Sequence, residues 1–282
     1  MTKIKVGRID FLNILPIYHY FDQMKPENVE VVNKVPAVLN ELLAKGEIDV
    51  GPISSFAYAQ NASEYLLLPN LSVSSYGKVR SIFLISKKPI DLLQDSNIAL
   101  TNTSATSIHL LKIILEKYYH IDANYDVMLP NLTNMLEYHD ASLLIGDDAF
   151  VDEQVILDNN LFIYDLGELW RQLTGLSMTF AVWAVRKSSI EKFRESLLDV
   201  YHAFIDCKQL GKEDLNTIID IANKKFERGH QFWKNYYEGL IYDFDQPMID
   251  SLNKFFYDAF ECGYLPEPVE VEVWREANES NR

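Results

Sequence analysis

A strict alternation of short apolar strands with helical stretches over the first sixty residues restricts this chain more than any other feature. Ile4-Lys5-Val6-Gly7 alternates apolar and polar side chains as a strand does. Ile14-Leu15-Pro16-Ile17-Tyr18 opens a helix, with Pro16 in the first turn, where a missing N–H costs nothing. Residues 29–32 read as a second strand. Residues 36–45 place Val38, Leu39, Leu42 and Leu43 on one helical face, and Gly46 is a stop. Residues 48–53 make a third strand, after which Ser54-Ser55 offers an N-cap for a helix through Gln60. A β-α-β-α-β-α order is the signature of a doubly wound parallel sheet. Such sheets bind ligands beyond the carboxyl ends of their strands, which is where residues 8–16 lie.

The pattern then crosses over and restarts. Residues 66–69 and 71–74 read as short extended pieces and 79–86 as one longer strand. Beyond Pro89, residues 97–100, 125–129, 141–145 and 161–164 read as strands. Residues 103–106 open a helix carrying Ile108, Leu111, Ile114 and Leu115, and 178–185 form a long apolar strand. With crossings at Pro89 and near Gly175, the expected organisation is two-lobed α/β. Lobe one is residues 1–87 and 181–282; lobe two is 88–180. Residues 188–207, 214–226 and 246–261 are expected to be helical, with Asp245-Gln246-Pro247 as a start and Gly263 as a stop. Residues 266–282 are acidic and polar and read as a surface tail.

Charge limits the partners. The chain has 282 residues and a formal net charge of −15, which argues against nucleic acid. Residues 88–180 hold 4 Lys/Arg against 14 Asp/Glu, so an anionic ligand needs local donors to overcome a repulsive field. Two cysteines, Cys207 and Cys262, form no CxxC pair and point to a reducing compartment. No apolar run is long enough to span a bilayer and no apolar signal region precedes the first strand, so the expected location is the cytoplasm. The six histidines have no ligand spacing, and the standard phosphate-binding, nucleophile-elbow and zinc motifs are absent. The expectation is a small-molecule ligand with no metal, cofactor, membrane or nucleic-acid partner.

Several residues could carry chemistry, each with a plainer reading beside it. Asn13 is a preferred N-cap type, yet its amide can also present a donor and an acceptor to a ligand. Thr101-Asn102-Thr103-Ser104-Ala105-Thr106-Ser107 concentrates hydroxyls at a helix start. These either cap the helix or, with free N–H groups and the helix dipole, hold a carboxylate. Asp147, in Leu144-Ile145-Gly146-Asp147-Asp148-Ala149, either caps a helix or places a carboxylate at the ligand edge. Arg80 and Ser81 lie in the crossing strand, where alternation sends their side chains to opposite faces.

Taken together, five stretches in order resemble the chorismate dehydratases of the futalosine route to menaquinone. They are Arg8-Ile9-Asp10-Phe11-Leu12-Asn13-Ile14-Leu15-Pro16, Gly51-Pro52-Ile53-Ser54, Ser104-Ala105-Thr106-Ser107, Leu144-Ile145-Gly146-Asp147, and the segment from Asp165-Leu166-Gly167 to Phe180-Ala181-Val182-Trp183. The resemblance implies a fold like type II periplasmic solute-binding proteins. It also implies a cofactor-free hydro-lyase that converts chorismate to 3-[(1-carboxyvinyl)oxy]benzoate. It assigns functional roles to Asn13 and Ser81. On this reading Thr103, Ser104 and Thr106 hold one carboxylate and Arg8 or Arg80 neutralises the other. Asp147 or a carboxylate of the substrate is the base. The chain departs from the family pattern at Ser177-Met178-Thr179. Two other functions share this fold: a non-catalytic cytoplasmic small-anion binder, and the 1,4-dihydroxy-6-naphthoate synthase of the same route.

Overall fold

In the computed structural model, which describes residues 3–151 and 153–275, the described strands form two five-stranded sheets. The first contains β1 (Ile4–Arg8), β2 (Val29–Asn33), β3 (Val50–Ser54), β4 (Tyr65–Ser75) and, returning from far along the chain, β10 (Met178–Arg186). Its order is β2-β1-β3-β10-β4. The second contains β5 (Ile82–Ser86), β6 (Asn97–Thr101), β7 (Asn124–Met128), β8 (Ala141–Ile145) and β9 (Phe162–Asp165), in the order β7-β6-β8-β5-β9. In each sheet four strands run the same way and one runs against them, wedged next to an outer strand: β10 in the first and β5 in the second. The two lobes are therefore built alike, and each antiparallel strand directly follows a crossing.

The first crossing lies earlier than Pro89. β5 pairs with β8 and β9, so residues 82–86 belong to the second sheet and the chain changes lobes within residues 76–81. The apolar run 79–86 is not one strand, because Arg80 takes a left-handed conformation with φ +59°. Asp165 fixes that turn: its carboxylate accepts the N–H groups of Val79 (3.0 Å) and Arg80 (2.7 Å). It also caps the helix Leu166–Thr174 through Gly167 and Glu168. Gly175 ends that helix at φ +75°, and the chain then enters β10 of the first sheet. Residues 66–69 and 71–74 are one strand, not two. Asn70 makes a left-handed bulge opposite β10, and its carbonyl accepts from Lys208 Nζ at 2.6 Å.

The helical C-terminal third packs over both lobes. Helix Lys187–Glu213 lies on the first sheet and along the helix Leu15–Tyr18, where Gly211 abuts the Pro16 carbonyl with no room for a Cβ. Helix Gln246–Glu261, capped by Asp245, touches β10 and two helices from opposite lobes, Ser55–Gln60 and Ala105–Ile113. Its buried Asp258 meets Lys117, Lys254 (2.5 Å) and the Tyr118 hydroxyl (2.7 Å), so the charge is paired on three sides. A further helix, His230–Glu238, was not legible from the pattern. Residues 266–275 are not a surface tail. They run along the edge of β4, where Leu67 donates to the Glu272 carbonyl and Trp274 donates back to Leu67, both at 2.8 Å. Trp274 is buried, so this segment covers an otherwise open strand edge. The remainder of the expected tail, residues 276–282, lies outside the described residues. Among the described residues no helix is long and apolar enough to cross a membrane.

Candidate functional site

A narrow cleft of about 50 Å³ opens at the carboxyl ends of β1, β3 and β8, between the two lobes. The strands that end there supply its walls. Ile9, Phe11 and Ile14 follow β1, Ser54 ends β3, Ile145 and Gly146 end β8, and Phe180 and Ala181 come from β10. Gly146 takes φ +57°, and a Cβ there would press on the Phe11 ring at 3.1 Å, so glycine lets that ring lie over the strand end without strain. The polar side chains facing the cleft are Asn13, Ser54, Ser81, Ser104 and Ser107. No lining residue carries a formal charge or a titratable group.

Asn13 does not cap a helix. It lies inside the one-turn 3-10 helix Leu12–Ile14, and the helix Leu15–Tyr18 begins without a side-chain cap. Its Oδ1 is buried and has no hydrogen-bond partner. An unpaired buried amide oxygen costs about 1–3 kcal/mol, so the fold holds this group at a cost. Its backbone is pinned from three directions. The Leu12 N–H donates to Asp147 Oδ1 at 3.1 Å, Tyr237 Oη donates to the Leu12 carbonyl at 3.1 Å, and Tyr242 Oη donates to the Asn13 carbonyl at 2.8 Å. Burial drives the Tyr237 and Tyr242 phenols well above their ordinary value, so both stay protonated donors. These two tyrosines, from a stretch where no element was legible in the sequence, hold the opening segment in place.

The hydroxyl cluster divides between two roles. Ser104 is the N-cap of Ala105–Ile113, accepting the Ser107 N–H at 3.2 Å, while its own hydroxyl donates to Ser107 Oγ at 3.0 Å; both face the cleft. Thr106 is fully buried and accepts the Phe56 N–H at 2.9 Å, which ties one lobe to the other. His109, one turn on, stacks on the Phe56 ring at 3.5 Å between centroids, so this seam between lobes is packed. Thr103 pairs with Thr101 Oγ1 at 2.8 Å and does not line the cleft.

The remaining candidates sit outside the cleft lining. Arg8 is turned toward Asp22 (2.8 Å) and Asp10 (3.3 Å). Arg80 faces a different cavity on the far side of the second sheet, whereas Ser81 lines the cleft; the two do point apart, because of the turn and not because of strand alternation. Neither arginine is placed to neutralise an anion in the cleft. Asp147 has one oxygen on the Leu12 N–H and the other on Lys225 Nζ at 2.6 Å. With Lys34 and Lys225 it lines a rim pocket that shares Ile9 and Phe11 with the cleft. Sequence reasoning named Ser107 only within the hydroxyl cluster and Ser54 only as a cap, and missed these rim lysines.

Comparison with known proteins follows the same lines. A family described as menaquinone biosynthesis matches residues 4–261. The chain is 33% identical over 202 residues to a chorismate dehydratase of Thermus thermophilus, covering 67% of this chain and 72% of the relative. It is 27% identical over 192 residues to a chorismate dehydratase of Campylobacter jejuni, covering 66% and 70%. Among solved structures, protein AF1704 of Archaeoglobus fulgidus superposes with TM-score 0.76 at 20% identity, covering 94% of this chain and 99% of that one. The alkanesulfonate-binding protein SsuA of Xanthomonas axonopodis pv. citri superposes with TM-score 0.71 at 15% identity, covering 97% and 98%. These structural likenesses establish the two-lobed periplasmic-binding-protein-like fold. The sequence match, running through the strand ends that wall the cleft and the helices that close it, places the chain in the menaquinone-biosynthesis family.

Proposed function

We propose that this protein is a chorismate dehydratase, a carbon–oxygen lyase that removes water from chorismate to give 3-[(1-carboxyvinyl)oxy]benzoate. The observation that carries the reading is the unpaired buried amide of Asn13 facing a cleft between lobes, in a chain similar to proteins of that activity. A ligand that hydrogen-bonds this amide would remove the penalty the free fold bears.

In this reading the ring lies between Phe11, Ile145 and Phe180, and one carboxylate sits on Ser104, Ser107 and the N-terminus of Ala105–Ile113. The second carboxylate reaches the rim, where Lys34 and Lys225 replace the expected Arg8 and Arg80. Asn13 and Ser81 hold the departing hydroxyl and the ether oxygen. Elimination breaks the C–H bond at the ether-bearing carbon, whose electron pair becomes the new ring double bond. The adjacent C–O bond breaks, and hydroxide leaves with the proton as water. Aromatisation supplies the driving force, so orientation and charge placement are the protein's task. No cleft-lining side chain can take the proton and both oxygens of Asp147 are engaged, so the base in this reading is a carboxylate of the substrate. The test is to follow chorismate by proton NMR in the presence of the protein. Loss of the ring diene signals with growth of aromatic ones supports a lyase; shifted but persistent chorismate signals would identify a binder.

A further inference from the structure

A second cavity, of about 220 Å³, lies on the opposite face of the second sheet. β5 divides the two: Ile82 faces the cleft, while Phe83 and Ile85 face the second cavity. Phe150 and Phe232 extend its apolar walls, and its only charged lining residues are Arg80 and Arg228. Among the described residues neither guanidinium has a carboxylate partner. Arg80 reaches only the Lys78 carbonyl, at 3.5 Å, and Arg228 donates to the Val151 carbonyl and lies 5.6 Å over the Phe232 ring. By contrast Arg8, Arg171 and Arg186 each sit within 4.0 Å of an acid. Arg80 and Arg228 stay unpaired in a chain with a net charge of −15, where Asp and Glu outnumber Lys and Arg 41 to 26. The Arg80 backbone is also fixed, by the left-handed turn and by its bond to Asp165, so the side chain starts from a set position.

We propose that this cavity is a second ligand site, taking a small organic monoanion with an apolar, ring-bearing body and a carboxylate head. The body packs on Phe83, Phe150 and Phe232, and the head engages Arg80 and Arg228, whose planar forks suit bidentate carboxylate pairing. The site is independent of the cleft, since the sheet lies between them.

Calorimetric titration of the full chain with 3-phenylpropionate tests this. The expected result is one site, weakened at least tenfold by Arg228→Met and by Ile163→Glu. Ile163 is a half-exposed wall residue of β9, so its replacement leaves the fold intact while placing a negative charge beside the head group. Ser104→Ala, which alters the cleft and the helix cap beside it but no residue lining this cavity, leaves the affinity unchanged. The proposal is overturned by an absence of binding, by unchanged affinity in folded Ile163→Glu, by loss of binding in Ser104→Ala, or by equally tight binding of neutral 3-phenylpropan-1-ol.

Discussion

Replacing Asn13 by leucine separates a functional amide from a structural one. Leucine is close to asparagine in size and shape and removes the buried oxygen that has no partner. Replacing an unsatisfied buried polar group by an apolar one of the same shape is neutral to stabilising. Taking the low end of the usual penalty, about 1 kcal/mol, the variant gains about 2–4 °C in Tm. Turnover moves the other way: loss of one preorganised donor costs about 10²–10³ in rate. The assay pairs a thermal melt with initial rates on chorismate, and the expected result is a higher Tm with at least about a hundredfold lower kcat. A cap or a packing residue behaves differently. If Tm falls while kcat is retained, or both fall together, Asn13 serves the fold and the reasoning fails.

Other perturbations follow from the contacts around it. Tyr242→Phe removes the hydroxyl that holds the Asn13 carbonyl, and should cost about 1 kcal/mol in denaturant melts while lowering kcat more than it raises KM. Ser104→Ala should weaken chorismate binding and, by removing a helix cap, also lower Tm, whereas Thr106→Ala should lower Tm by breaking the Phe56 tie and leave affinity nearly intact; calorimetry separates the two. Burial pushes the His109 imidazole down to about 4, below its ordinary 6.5. The unfolded chain therefore takes up a proton that the folded one refuses, and stability falls as pH drops from 6.5 toward 4, by up to about 3 kcal/mol. His109→Phe should flatten that part of a Tm-against-pH curve. Gly211→Ala drives a methyl into the Pro16 carbonyl and should lower Tm sharply, through displacement of helix Lys187–Glu213.

Much of the fold was legible because it is written in local periods. The runs at 97–100, 141–145 and 246–261 match the observed elements closely, and Ser54, Ser104 and Asp245 cap helices as their types suggest. The errors arose where a tertiary contact overrules the pattern. Val79-Arg80-Ser81 continues an apolar run, yet Asp165, eighty-five residues away along the chain, bends it into a turn and moves the crossing. Asn13 has the residue type of a cap, but Tyr237 and Tyr242 hold its backbone inside a 3-10 turn instead. Arg8 and Arg80 were natural partners for an anion by charge alone; Asp22 occupies the first and the sheet screens the second. Residues 266–275 look like a polar tail because of their glutamates, yet Val269, Val271 and Val273 alternate with Glu270 and Glu272 and pack against the core, and with the buried Trp274 they were the sign that it docks.

The central claim is that the cleft turns chorismate over. Catalytic protein is mixed with excess chorismate, and the products are separated and weighed by mass spectrometry. The account predicts many turnovers to a single product lighter by one water, aromatic and still carrying its enolpyruvyl ether, with Asn13→Leu protein giving at least about a hundredfold less in the same time. Chorismate recovered intact, or a product that has lost the enolpyruvyl group, would contradict it.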